Sequence, residues 1–85
     1  MKDREFLIEL YEIYEGLLTS KQKDYFKLYY YEDLSLNEIS EKLKVSKSFA
    51  GKIINLVERK LHNFEKLLNV NEKNRLIEKL KNKLN

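Results

Sequence analysis

An 85-residue chain has room for one domain and one small core, and the absence of cysteine excludes disulfides and thiolate metal sites. With no proline, two glycines, 36% charged and 42% hydrophobic residues, the composition favours an all-α fold over a disordered chain. No apolar run approaches membrane-spanning length and no secretory segment is visible, so the expected location is the cytoplasm.

The first predicted helix covers about Asp3 to Tyr14. Phe6, Leu10, Ile13 and Leu17 recur at three-to-four spacing and form its expected apolar stripe. Asp3 and Glu5 suit the positive end of its dipole, and Gly16 is expected to end it. The second helix starts after Thr19, where Thr19 and Gln22 form a capping box. It carries Tyr25, Phe26, Leu28, Tyr29 and Tyr30, which surround much of its circumference, and it breaks at Asp33–Leu34. Such an arrangement makes it central, with Tyr29 and Tyr30 read as core aromatics and not as a stacking platform shared with Tyr31.

The third helix starts after Ser35, with Glu38 completing a second capping box and Leu36, Ile39 and Leu43 facing inward. The fourth starts after Ser46. Its inner positions Ala50, Ile54, Val57, Leu61, Phe64 and Leu68 keep a strict 3.5-residue repeat for about five turns. That length exceeds what a reading helix needs. Together with Phe6, Leu10, Ile13 and Leu17, the stripe predicts packing on the first helix, on a second copy of the chain, or on both. A homodimer is therefore expected. The fifth helix, about Glu72 to Leu84 and capped by Asn71, pairs a narrow stripe of Leu76, Ile77, Leu80 and Leu84 with a basic face.

The net charge of +3 is unevenly placed. Residues 1–20 hold 2 basic and 5 acidic residues, residues 21–43 hold 4 and 5, and residues 44–85 hold 11 and 4. A one-sided basic field points to a polyanionic partner. The field begins where the third and fourth helices meet, at "LKVSKSFAGKI". Ile39, Leu43, Val45, Ala50 and Ile53 stand at the meeting points of a helix-turn-helix, Ser40 takes its small position, and Ser46 caps its second helix. The turn position that usually carries glycine holds Lys44, at the cost of strain or a looser geometry.

In such a motif the outward side chains near the start of the second helix approach nucleic acid: Ser46, Lys47, Ser48, Gly51, Lys52 and Asn55, with Arg59 a turn further on. Base reading favours Arg on guanine and Asn or Gln on adenine. Here Asn55 alone offers an adenine-reading amide, and the lysines suit phosphates. His62, the single histidine, can neither build a metal cluster nor complete a triad, and no nucleophile motif or phosphate-cradling loop appears. No enzyme, metal or cofactor is implied.

The stretch from "LLTSKQ" through "LYYYEDLSLNEIS" to the following "VS" resembles the YlxM-like bacterial proteins over roughly Tyr11 to Leu68. More generally, the layout is similar to region 4 of sigma factors. The resemblance implies a small all-α bundle with a sigma-region-4-like helix-turn-helix at about 35–60, a long fourth helix, and a dimeric state. It also implies nucleic-acid binding and a link to the signal recognition particle pathway, with the particle's GTPase or RNA as partner. Family members usually carry Arg and Gln just after the serine of the second helix. Lys47 and Ser48 stand there instead, which weakens base-specific reading and leaves attraction to phosphates intact. The expected function is therefore an accessory factor of protein targeting. A dimeric transcription regulator and a pure protein-interaction module are the alternatives.

Overall fold

The computed structural model describes residues 3–84, with side chains to Lys81. Five α-helices and no strand occur among the described residues. Helix α1 spans Arg4–Tyr14, α2 Ser20–Phe26, α3 Leu36–Leu43, α4 Lys47–Leu68 and α5 Val70–Leu84. The all-α bundle with a long fourth helix is as expected. No helix among the described residues is long and apolar enough to cross a membrane.

Local chemistry sets most helix starts. Asp3 caps α1 by accepting from the Phe6 N–H at 3.2 Å. Thr19 and Gln22, and likewise Ser35 and Glu38, satisfy each other's backbone donors in two capping boxes. Each cap is worth on the order of 1 kcal/mol. The hydrogen bonds that Glu38 accepts around Ser35 hold its carboxyl below its usual range.

The end of α1 differs from expectation. Gly16 does not adopt a left-handed conformation; the chain tightens into a 3-10 turn over Glu15–Leu17, closed by the Leu18 N–H on the Glu15 carbonyl. The inner face of α1 also turns. Leu7, Leu10, Tyr11 and Tyr14 are buried, Phe6 and Ile13 pack at the margin, and Leu17 is 54% exposed.

The second helix changes character midway. After Phe26 it widens into a π-helical stretch over Lys27–Tyr31, in which the Glu32 N–H reaches back five residues to the Lys27 carbonyl at 3.0 Å. Asp33 then turns left-handed, with φ of 57°, and the Leu34 N–H closes onto the Leu28 carbonyl. Arg4 fastens this end by donating to the Tyr30 carbonyl at 2.7 Å and to the Asp33 carboxylate at 2.6 Å. Phe26 lies between Tyr11 and Tyr30 in a stack with centroid distances of 4.4 Å on each side.

α4 is the axis on which α1, α2 and α3 pack. Ala50, Ile54, Val57 and Leu61 are buried, and Phe64 packs against the core. Of the side chains taken as surplus apolar face, only Leu17 and Leu68 remain exposed. One chain thus covers most of the stripe by itself, which removes the expected ground for a homodimer.

The corner into α5 is a second correction. Asn71 is not its cap. Asn69 alone connects α4 to α5, in a left-handed conformation, and Asn71 is buried in the first turn of a helix already begun at Val70. There the Asn71 amide and Arg75 both donate to the Glu9 carboxylate of α1, at 3.1 and 3.0 Å, and hold that carboxyl below its usual range. Leu76, Ile77 and Leu80 stay exposed. Leu84, expected to extend that stripe, has a side chain outside the described residues.

Candidate nucleic-acid interface

The helix-turn-helix corner is built by Ser40, Lys44 and Ser46. Both the Lys44 and the Val45 N–H groups return to the Ser40 carbonyl, which closes the end of α3. This closure requires a left-handed residue, and Lys44 supplies it with φ of 58° and ψ of 47°. A side chain there costs about 1–2 kcal/mol relative to a right-handed residue. The turn is therefore tight and strained, not loosened. The Ser46 hydroxyl accepts from the Phe49 N–H at 3.0 Å and restarts the chain as α4. Ile39 and Ala50 are fully buried between the two helices, with Leu43, Val45 and Ile53 around them.

Lys47, Ser48, Lys52, Asn55 and Arg59 are exposed along one face of α4, and Gly51 is half-buried among them. Together these six line a groove of about 1020 Å³. Ser46, the seventh candidate, is not part of that lining; its hydroxyl is occupied by the cap.

Sequence reasoning missed the rest of the groove. Leu7 comes from α1 and Leu36 from α3, and α4 adds Glu58 and His62. His62, which the sequence excludes only as a metal or triad residue, is exposed here, with its ring 5.8 Å from that of Phe6. A Cβ placed on Gly51 would meet Leu36 Cδ1 at 3.5 Å, an ordinary contact. Packing therefore does not demand glycine here; its lack of a side chain widens the groove.

Glu58 is the groove's single acid, and it is buried. The Tyr30 hydroxyl donates to its carboxylate. Burial, and then this hydrogen bond, push the Tyr30 hydroxyl above its ordinary range. The Arg4 guanidinium lies 5.1 Å over the Tyr30 ring and steadies it. The exposed charges of the groove are thus all positive: Lys47, Lys52 and Arg59.

Phe49 was also missed. It projects from the first turn of α4, edge-on to Tyr25 of α2, and Lys21 Nζ sits 5.1 Å over its ring. It braces the start of α4 from the side away from the groove. Among the described residues, no group of three or more His, Cys, Asp or Glu side chains could hold a metal.

Over residues 1–85 the chain matches a family described as "Putative helix-turn-helix protein, YlxM / p13 like". It is 49% identical over 72 residues to a UPF0122 protein of Ureaplasma urealyticum serovar 10, an alignment covering 85% of this chain and 73% of that protein. A UPF0122 protein of Mycoplasma capricolum subsp. capricolum is 44% identical over 78 residues, covering 92% and 69%. One from Bacillus cereus strain AH187 is 41% identical over 76 residues, covering 85% and 69%.

Proposed function

Because this chain belongs to the YlxM / p13-like helix-turn-helix family, we propose that it binds nucleic acid through the outer face of α4. In this reading it serves as an accessory factor in protein targeting by the signal recognition particle, with the particle's RNA as the first partner to test and its GTPase as the second. The observation that carries the reading is the coincidence of motif and charge. Six of the seven candidate residues share one groove, whose three exposed charges are cations and whose one acid is buried under Tyr30. Lys47 and Lys52 are point charges suited to phosphate. Arg59 can hold one phosphate in a bidentate grip. Contacts of this kind position a polyanion without reading its sequence.

The test is binding of the purified protein to the particle's RNA, its GTPase and random duplex DNA across a salt series. Three phosphate contacts predict a slope of log affinity on log salt of roughly −2 to −3. The Lys47→Glu, Lys52→Glu double variant should bind RNA at least about ten-fold more weakly at low salt. No binding to RNA or GTPase at low salt would sink the targeting role. A motif selected from random DNA, with a specific-to-random gap on the order of a thousandfold, would instead make the protein a transcription regulator. Partner capture unchanged by the double variant would make it a protein-interaction module.

A further inference from the structure

The shape of the groove separates two kinds of nucleic acid. A helix that reads duplex DNA enters the major groove. With its side chains it measures about 10–12 Å across, and the groove is about 12 Å wide, so the helix must stand clear of its neighbours. The candidate face of α4 does not stand clear. It opens into a recess that it shares with Leu7 of α1 and Leu36 of α3, and the recess is widened where Gly51 has no side chain.

What fills such a recess must be anionic at its rims and apolar against its floor. The charges are Lys47 on one rim and Lys52 and Arg59 on the other, about 7.5 and 10.5 Å apart in succession along the helix axis at 1.5 Å per residue. The uncharged part combines Leu36, the glycine floor and the exposed ring of His62. A single strand has both aspects: phosphates along one edge, and unstacked bases that lie on imidazole rings, guanidinium planes and apolar surface. A base-paired duplex offers phosphates and base edges in its grooves but keeps its base faces stacked inside, out of reach of an apolar floor.

We propose that this recess holds an unpaired stretch of nucleic acid, its phosphates on Lys47, Lys52 and Arg59 and its bases against Leu36, Gly51 and His62. The proposal rests on the nucleic-acid reading above and names the form of the ligand. Asn55, in the middle of the same face, is placed to meet a base edge.

The experiment is fluorescence anisotropy of the full chain with labelled oligouridylate, oligothymidylate and a mixed-sequence DNA duplex. Each is about 12 units long, within the span of known single-strand sites, and salt is held near 50 mM. Both single strands should bind at least about ten-fold tighter than the duplex. Gly51→Leu fills the recess, so it should weaken single-strand binding about ten-fold or more. His62→Ala, with its fold checked by the urea midpoint, should weaken single-strand binding about three-fold or more through lost stacking. A duplex that binds as tightly as the single strands overturns the inference but leaves phosphate binding standing. So does single-strand affinity unchanged in both variants. If none of the three nucleic acids binds, both readings fall. If an acidic amphipathic helical peptide binds more tightly than either single strand, the recess belongs to a protein partner and the inference fails.

Discussion

Tyr11 stacks its ring flat on Phe26, 4.4 Å away at 4°, yet its buried hydroxyl has no hydrogen-bond partner among the described residues. A buried hydroxyl without a partner costs about 1–3 kcal/mol of desolvation, whereas the ring contributes fully to packing. Tyr11→Phe should therefore raise stability, by roughly 1 kcal/mol, seen as a higher urea midpoint with an unchanged slope. Tyr14 and Tyr30 differ in kind. The Tyr14 hydroxyl donates to Glu65 at 2.6 Å and accepts from the Val70 N–H at 3.2 Å, and the Tyr30 hydroxyl donates to Glu58. From sequence alone these three tyrosines look alike, because what separates them is a carboxylate arriving from 28 or 51 positions away. Caps are legible where tyrosine hydroxyls are not. Thr19 with Gln22 and Ser35 with Glu38 close within three residues, so pattern and contact coincide.

At the scale of elements, α1 shows how a sound period can yield a wrong face. Phe6, Leu10, Ile13 and Leu17 obey helical spacing, but so do Leu7, Leu10, Tyr11, Tyr14 and Leu18. The second set is the buried one, because the ring of Tyr11 meets the aromatic stack around Phe26. Counting tyrosine as half-polar hides that choice. The α4–α5 corner hides another. Asn69 alone connects the helices, so no preceding residue is free to cap α5. Glu65, on the last turn of α4, does it instead: its carboxylate accepts from the N–H groups of Asn71 at 3.1 Å and Glu72 at 3.2 Å. Those are first-turn donors that would otherwise be orphaned. Glu65→Ala should cost about 1–2 kcal/mol. It should also speed amide exchange at Asn71 and Glu72 well beyond any change at Ile39 or Val57 in the core. Equal acceleration at all four amides would refute a local capping role.

At the scale of the whole molecule, the bundle is elongated, 52 × 23 × 22 Å, and its tyrosines sit in the wider body around α4. Tyr11, Tyr14, Tyr30 and Tyr31 are each held above the ordinary tyrosine range, chiefly by burial. In the unfolded chain they ionise near pH 10. Their contribution is therefore complete below about pH 10 and is lost as pH rises from there through the folded-state values. Thermal melts should show a falling Tm in that alkaline window, and Tyr30→Phe should flatten part of the fall. A Tm independent of pH through the window would contradict the burial of these hydroxyls. The basic field of residues 44–85 was visible in the sequence, but the recess was not. Its lining joins α1, α3 and α4 across more than fifty positions, and no local pattern encodes that meeting.

The π-helical stretch over Lys27–Tyr31 has a consequence for aligning relatives. It holds one residue more than a regular α-helix would place in the same rise, so it is the natural place for a one-residue gap. A relative with that gap would return to α geometry and rotate Tyr30 by about 100° about the helix axis. Its equivalent of Tyr30 would then point away from the equivalent of Glu58, and the groove would lose the hydroxyl that now faces its one acid. In such a relative the gap would be a change of site chemistry, where an alignment would score it as a loop of variable length.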